Sequence, residues 1–246
     1  MIVIVSPAKT MQVHREVSRT SLPFASYTTR LARQLASYSQ EQLKDLMHIS
    51  DTIAKETKDK FHAFEKDNKG SYAIEAYQGL QFQQLTNHQD KKAFANTHIR
   101  IVSALYGLLK PYDVIVPYRL EMQCKLAIDD ANNLYTYWKD TLSKEMASLL
   151  DKQENPIIID LASKEYSKVF AKELKEKMIT IDFVEVDKDK QKRNSATVKK
   201  LRGQMLEYIL QHQIFSPEEL KEFSYDGFVY AKQASNEKQY TFHKVL

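Results

Sequence analysis

The sequence contains a single cysteine, Cys124, and few residues that interrupt regular structure. One cysteine excludes an intramolecular disulfide and a zinc site built from several cysteines, which leaves Cys124 as a small buried side chain. Only 5 glycines and 6 prolines occur in 246 residues, whereas 43% of the chain is hydrophobic and 28% is charged. These proportions exclude a linker-rich or disordered chain and predict an ordered globular protein.

Long apolar segments are also missing. The run MIVIV at residues 1–5 is shorter than a membrane span or the apolar core of a signal peptide, and no basic segment precedes it. No later segment of the sequence reaches the length of a membrane span. We therefore expect a cytoplasmic protein with no membrane partner.

Motifs of several common enzymes and metal sites are absent. The five glycines, at positions 70, 79, 107, 203 and 227, lie too far apart for a dinucleotide fingerprint or a Walker-type phosphate loop. The sequence has no nucleophile elbow, and its seven histidines lack the spacing of zinc ligands. We expect no cofactor and no bound transition metal, although a carboxylate-rich iron site would leave no such spacing.

Positive charge is concentrated in one part of the chain. The formal net charge is +4, yet residues 164–202 alone contain twelve Lys or Arg against seven Asp or Glu. Such a segment indicates either an anionic partner or simply a solvated face.

Hydrophobic patterning predicts a single mixed α/β domain over residues 1–246. Short β-branched runs predict strands at residues 2–5, 99–102, 157–160 and 178–186, and a pair near the carboxyl terminus. Helical periodicity covers residues 25–68 and 135–151, with Ser39 and Gln42 spaced as a capping box. Residues 71–82 alternate, which predicts a strand, a turn at Gly79 and a short continuation.

The first candidate site segment is SPAKT, residues 6–10. It directly follows the first predicted strand, and loops at the carboxyl ends of strands often line clefts in α/β proteins. Two hydroxyls and the ammonium of Lys9 suit a phosphate or a carboxylate. The alternative is an ordinary Ser-Pro turn.

The second segment is SALYGLLKPYDVIVPYRLEM, residues 103–122. Its first part resembles a helical hairpin whose backbone NH groups could meet a phosphate, with one glycine where such hairpins usually have two. Further on, Tyr118, Arg119 and Glu121 combine an aromatic ring, a fork-shaped donor and a carboxylate. The alternative is a surface pair between Arg119 and Glu121.

Two further segments carry polar clusters. The segment DLASKEY, residues 160–166, stands where a predicted buried strand ends, although Ser163 could simply cap the next helix. Lys199, Lys200 and Arg202 precede Gly203 at the predicted start of a helix. Cations at that position oppose the helix dipole, so a bound anion would remove the conflict.

Taken together, SPAKT, SALYGLLKPYDVIVPYRLEM, LYTYW, DLASKEY and KKLRG resemble, in order and spacing, the YaaA peroxide-stress family, also called DUF328 or UPF0246. The resemblance covers essentially the whole chain. It implies a compact α/β fold of the YaaA type with a positively charged cleft and DNA binding assisted by a helix-hairpin-helix-like element. It also implies a role in limiting peroxide damage by lowering free iron. The residues carried over to the cleft are Lys9, Thr10, Tyr106, Gly107, Lys110, Tyr118, Arg119, Ser163, Lys164, Lys199, Lys200 and Arg202.

Three interpretations of function follow. The leading one is a monomeric stress protein without catalysis that binds duplex, distorted or single-stranded DNA through phosphate contacts and tyrosine stacking. The second is an enzyme acting on a nucleic acid or nucleotide, with Lys9 or Glu121 as the catalytic residue. The third is a protein that binds iron directly.

Overall fold

A computed structural model of the chain describes residues 1–86, 88–188 and 190–246. The strands are β1 (Ile2–Val5), β2 (Val17–Ser18), β3 (Lys69–Tyr72), β4 (Ile99–Ser103), β5 (Gly107–Leu109), β6 (Val114–Ile115), β7 (Ile158–Leu161), β8 (Met178–Asp187), β9 (Lys190–Lys192), β10 (Ser224–Tyr225), β11 (Phe228–Tyr230) and β12 (Gln239–Val245). The α-helices are α1 (Ala25–Ser37), α2 (Gln40–Met47), α3 (Asp51–Ala63), α4 (Ala73–Ala76), α5 (Lys92–His98), α6 (Leu134–Leu150), α7 (Lys164–Ser167), α8 (Lys172–Lys175) and α9 (Ser195–His212). Short 3₁₀ helices cover Phe82–Gln84, Gln89–Lys91, Pro217–Glu222 and Lys232–Ala234.

Nine of these strands form one mixed sheet in the order β10-β11-β12-β8-β7-β1-β4-β5, and β9 pairs with β8 outside this path. The central strands β12, β8, β7, β1 and β4 run parallel to one another. A second sheet of three antiparallel strands contains β2, β3 and β6. The prediction of one mixed α/β domain is confirmed.

Strand β1 lies inside the parallel region, with β4 on one side and β7 on the other. All four residues of β1 and of β7 are buried, as expected of strands covered on both faces. Because the chain continues from β1 to β4 but returns to β7 on the opposite side, the strand order reverses between β1 and β7. Ligands of open α/β sheets bind outside the carboxyl ends of strands at such a reversal.

The predicted helical layer is present as α1, α2 and α3. The capping box at α2 is confirmed, because the Ser39 hydroxyl accepts from the amide of Gln42 and the Gln42 side chain accepts from the amide of Ser39. Helix α6 matches its predicted position and buries Trp138, whose indole NH donates to the carbonyl of Ala104 at 2.8 Å.

The predicted helical hairpin at residues 103–110 is wrong. The chain leaves β4, turns through residues 104–106 and returns as β5, so that Ser103 pairs with Gly107 and Ile101 with Leu109 in an antiparallel β-hairpin. Gly107 has a positive φ of 75°, which a glycine adopts without a steric penalty. An apolar run of this length is compatible with either a helix or a strand, and pairing with β4 decided the outcome.

Two other expectations need correction. Residues 71–82 do not form a strand pair, because β3 ends at Tyr72 and helix α4 follows directly. The first two amides of α4, those of Ala73 and Ile74, donate to the carbonyls of residues 113 and 111. Helix α9 begins at Ser195, with the Asn194 side chain as its cap, so the lysines at positions 199 and 200 lie in its second turn. The dipole effect fades within the first turn, and the argued conflict does not exist.

Candidate functional site

A cleft opens at the carboxyl ends of β1 and β7, where the strand order reverses. Its volume is about 290 Å³. Its walls are residues 6–10 after β1, residues 79–82, and the side chains of Ser163, Glu165 and Tyr166 after β7 and of Lys199 and Arg202 from α9. Chain segments that are far apart in sequence therefore meet at one place in the sheet. This position and size are typical of small-molecule sites in α/β proteins.

Two glycines allow the cleft walls to pack closely. A Cβ atom added to Gly79 would lie 2.8 Å from the Cβ of Ala8, so only glycine permits this contact with the loop after β1. A Cβ added to Gly203 would lie 2.2 Å from the carbonyl oxygen of Gln81. Helix α9 can therefore pack directly on residues 81–84. This packing holds Lys199 and Arg202 at the edge of the cleft.

Serine hydroxyls join the two strand ends at the base of the cleft. The backbone NH of Ser163 donates to the Ser6 hydroxyl at 2.8 Å, and the two hydroxyl oxygens are 3.4 Å apart. This contact spans 157 residues of sequence and fixes the loop after β1 against the loop after β7. Both hydroxyls are partly buried beside the cavity.

A smaller lobe adjoins the cleft and contains an ion pair. The Lys9 ammonium lies 2.7 Å from Glu121 Oε2, and the Glu121 side chain is only 12% exposed, whereas that of Lys9 is 62% exposed. Arg119 lies 3.9 Å from the other carboxylate oxygen, and its buried Nε has no hydrogen-bond partner among the described residues. The lobe has a volume of about 10 Å³, which leaves room for about one water molecule.

A second carboxylate, Glu165, lies on the wall of the cleft. Burial raises the pKa of Glu165 above its ordinary value, and the nearby charge of Glu121 acts in the same direction. The backbone NH of Gln123 donates to Glu165 Oε1 at 3.2 Å, and the Gln123 side chain donates to Glu121 at 3.3 Å. The cleft therefore combines acidic groups with cations, and its charge is mixed rather than uniformly positive.

Arg202 and Asp160 interact electrostatically at the back of the cleft without forming a salt bridge. Burial lowers the pKa of Arg202, although Asp160 and Asp182 oppose this change. Burial also raises the pKa of Asp160 to about 6, against the opposing effects of the Ser167 hydroxyl, an amide and Arg202. The buried Nε of Arg202 has no hydrogen-bond partner among the described residues.

A network of buried hydroxyl groups lies beneath the smaller lobe. The Tyr118 hydroxyl is 2.9 Å from that of Tyr77 and 2.7 Å from that of Ser103. Burial raises the pKa of Tyr118 to about 12, and Tyr118 is only 3% exposed. Its ring cannot stack on a base in this conformation, so the expected stacking role finds no geometric support.

The remaining predicted residues fall into three groups. Lys9, Thr10, Ser163, Lys199 and Arg202 line the cleft, and Tyr118 and Arg119 line the smaller lobe with Lys9. Lys164 and Lys200 are exposed but do not line either volume, and the Lys200 ammonium lies over the Tyr225 ring.

The third group lies away from the cleft, because the predicted helical hairpin does not form. Tyr106 is 1% exposed, with its hydroxyl bonded to the backbone of Val116. Gly107 packs among the rings of Phe24 and Trp138. Lys110 follows β5, which runs antiparallel to β4. It therefore lies near the amino end of β4, away from the carboxyl ends of the strands where the cleft opens. None of the three residues reaches the cleft.

Sequence reasoning missed the wall made by residues 79–82. The sequence around Gly79 predicts a turn, and nothing in it indicates that Gly79 lies against Ala8. The sequence indicates Glu165 and Tyr166 only as parts of the polar segment at residues 160–166. The structure shows both beside the cavity, with Tyr166 buried.

Two kinds of feature, a cluster of metal ligands and a membrane-spanning helix, are absent from the described part of the chain. Within residues 1–86, 88–188 and 190–246, no group of three or more His, Cys, Asp or Glu side chains is arranged to hold a metal ion. The expectation of no bound metal remains a prediction. Across the same described part of the chain, no helix combines the length and the hydropathy that crossing a bilayer requires.

The fold and the cleft define the class: a mixed α/β protein with a cleft of mixed charge at the strand-order reversal of its parallel region. A family model described as peroxide stress protein YaaA matches residues 1–234. A UPF0246 protein of Agathobacter rectalis is 36% identical over 100% of both chains. Those of Rickettsia conorii and Clostridioides difficile are 36% and 37% identical over 99% of this chain and 100% of each relative. The chain belongs to the YaaA peroxide-stress family.

Proposed function

We propose that this protein acts on a nucleotide or a nucleic acid in the cleft, with Lys9 and Glu121 transferring protons beside a bound phosphate. The observation that carries the proposal is the 2.7 Å ion pair between Lys9 and the largely buried Glu121, next to a cavity of about 290 Å³. Two further cations, Lys199 and Arg202, line the same cavity. A site that only contacts DNA phosphates does not require a buried carboxylate.

The two groups suit complementary roles. The Glu121 carboxylate lies beside the cleft, where it can accept a proton from a bound hydroxyl or water. The Lys9 ammonium is accessible to a ligand and can donate a proton to a departing oxygen or nitrogen. Their ion pair holds the donor and the acceptor 2.7 Å apart at the edge of the cleft.

The test compares wild type with Lys9→Met and Glu121→Gln. Purified protein is incubated with nucleoside mono- and triphosphates and with single- and double-stranded oligonucleotides, and the products are identified by mass spectrometry. We expect turnover of one of these substrates, and a loss of about 100-fold or more in either variant. Lys172→Met, an exposed lysine on α8, is the control. Absence of turnover in wild type for every substrate would reject the catalytic proposal.

A second candidate function, DNA binding without catalysis, is favoured by exposed cations near the cleft. Lys164, Lys199 and Lys200 are all exposed. Each phosphate contact on duplex DNA contributes about −0.9 to the slope of log affinity against log salt concentration.

Salt titrations of fluorescence anisotropy test this candidate. Replacing Lys199 and Lys200 by alanine should flatten the slope by about two units, whereas Lys172→Ala with Lys175→Ala should leave it unchanged. Binding that does not respond to salt, or a slope unaltered in the Lys199 and Lys200 variant, would count against DNA binding through phosphates.

The cellular role that the family resemblance supports is protection against peroxide together with lower free iron. Cells lacking the protein should survive peroxide less well and contain more chelatable iron than the parent strain. Restoring wild type should reverse both effects, and restoring Glu121→Gln should reverse neither. Unchanged survival and unchanged iron in the deletion strain would remove this part of the proposal.

A further inference from the structure

Helix α9 presents two unpaired cations to the cleft. Lys199 and Arg202 are three positions apart, which places them on one face of the helix, and both line the cavity. Neither forms an ion pair within 4 Å among the described residues, whereas Lys9 is paired with Glu121. The unpaired positive charge of this cleft therefore lies on the α9 side, and the Glu165 carboxylate also lines the cavity.

Arg202 is held in a costly state when the cleft is empty. Its Nε is buried without an acceptor in the described part of the chain, and Asp160 affects it only through space. An NH donor that is removed from water without gaining an acceptor is unfavourable, and the Nε of Arg202 is such a donor. A ligand that brings acceptor oxygens to Arg202 would offset this cost.

The opposite wall supplies hydroxyl groups. Ser6 and Ser163 stand at the base of the cleft, and the Ser163 hydroxyl donates to no acceptor within the described residues. Thr10 adds a third hydroxyl to the lining. Donors therefore converge from the β1 loop, the β7 loop and α9, around a volume rather than along a flat edge.

We propose that this part of the cleft binds a terminal phosphate, that is, the phosphomonoester of a nucleotide or of a DNA strand end. A phosphomonoester carries close to two negative charges and three acceptor oxygens, which match two unpaired cations and donors on two walls. A phosphodiester within a strand carries one charge and continues on both sides. This inference rests on the proposed function only for the identity of the rest of the ligand.

The remaining lining suits a sugar or a base. Phe82 and Leu80 line the same cavity, and Leu80 is 41% exposed, so it can contact a ligand. An apolar face beside a phosphate anchor is the arrangement expected of a nucleotide site. The cavity of about 290 Å³ lies at the lower end of the range for such pockets.

Calorimetry with adenosine monophosphate, adenosine and inorganic phosphate tests the anchor. We expect adenosine monophosphate to bind at least about tenfold more tightly than adenosine, and inorganic phosphate to compete with it. Arg202→Lys keeps the charge but loses the fork-shaped donor, and should weaken the nucleotide about tenfold. Lys199→Ala should act in the same direction. The matched controls, exposed Arg15→Lys and Lys172→Ala, should change affinity by less than about twofold.

Two oligonucleotides of the same sequence, one with a 5′-phosphate and one with a 5′-hydroxyl, identify the source of the phosphate. Tighter binding of the phosphorylated strand supports a DNA end, and equal binding of both strands with tight nucleotide binding supports a free nucleotide. Equal affinity for adenosine monophosphate and adenosine would overturn the proposal. If Arg202→Lys does not fold, an unchanged nucleotide affinity in both Lys199→Ala and Ser163→Ala would overturn it as well.

The catalytic proposal and the phosphate anchor can fail separately. Glu121→Gln should retain nucleotide affinity, because Glu121 lies in the smaller lobe and not beside Arg202. Phosphate-dependent binding without turnover would leave the anchor standing and reject the catalytic role. Turnover without preference for a phosphorylated ligand would do the reverse.

Discussion

Strands β1 and β4 are parallel neighbours, yet their carboxyl ends have opposite properties. After β1 the chain leaves as the loop of residues 6–10 and lines a charged cleft. After β4 it turns back at once through residues 104–106 into β5, and every residue from 101 to 109 is buried. One edge of a single sheet thus contains both an open polar site and a closed apolar corner.

The difference follows from how each chain connection satisfies its polar groups. At the end of β4, the Ser103 hydroxyl accepts from the amides of Leu105 and Tyr106, and the indole of Trp138 donates to Ala104. At the ends of β1 and β7, Ser6 and Ser163 join the two loops, and the side chains of Lys9 and Thr10 line the cavity. We infer that the β4 corner contributes mainly stability and the β1–β7 edge mainly ligand binding. Four predictions test this division.

The largest effect on stability is expected at Gly107, in the closed corner. A Cβ there would combine a positive φ of 75° with contacts of 2.9 Å to Phe24 and 3.0 Å to Leu142. We expect Gly107→Ala to lower the free energy of unfolding by about 3 kcal/mol. Urea unfolding followed by the fluorescence of Trp138 measures this change.

Gly227→Ala is the matched control, because Gly227 has a φ of 79° but only ordinary contacts of 3.6 Å or more to Lys244. It should lose about 1 kcal/mol from backbone strain alone. Equal losses at the two glycines would show that packing in the corner contributes little.

Ser103→Ala should give the second-largest effect. The substitution leaves two buried amides without an acceptor and removes the 2.7 Å partner of the Tyr118 hydroxyl. We expect the free energy of unfolding to fall by about 2–3 kcal/mol, with nucleotide affinity unchanged. Ser195→Ala, at an exposed serine, serves as the control. A marked loss of ligand affinity in Ser103→Ala would break the proposed separation between corner and cleft.

The pH dependence of the free energy of unfolding should reflect the protonation of the Asp160 carboxyl, which lies behind the cleft. Its pKa is raised from 3.8 to about 6 by burial, so the folded protein holds a proton that the unfolded chain releases. Stability from this group is therefore present at low pH and is lost as pH rises through this range. Relative to Asp160→Asn, wild type should lose about 2 kcal/mol between pH 4 and pH 7. If the stability of wild type relative to Asp160→Asn stayed constant or rose between pH 4 and pH 7, Asp160 would not be the group responsible.

The smallest stability effect is expected at Lys9, where the effect on function should be largest. Its ion pair with Glu121 is half exposed, and such pairs contribute little net free energy. Lys9→Met should change the free energy of unfolding by less than about 1 kcal/mol. Thermal unfolding of this variant beside Lys172→Met measures it. A loss comparable to that of Ser103→Ala would assign Lys9 to the structure of the cleft rather than to its chemistry.

Much of the architecture was predictable because it depends on local pattern. Strand β1 is a continuous β-branched run, β7 begins with two isoleucines, and β8 is rich in β-branched and aromatic residues. The side chains of the capping box indicate the start of α2. The hairpin after β4 was not predictable from such signals, since its apolar residues fit a helix equally well. Pairing with a neighbouring strand, which a local pattern does not contain, decided its conformation.

For the candidate site, local sequence pattern identifies Lys9 and Ser163 as polar groups that follow buried strands, and Glu121 as a carboxylate close to Arg119 in the chain. It could not determine that Glu121 pairs with Lys9, that Gly79 and Gly203 let two walls close on the cleft, or that Tyr106 and Tyr118 are buried. Those facts depend on contacts between segments up to 157 residues apart. Only the tertiary structure decides them, because burial and proximity are properties of the packed chain and not of any one segment of it.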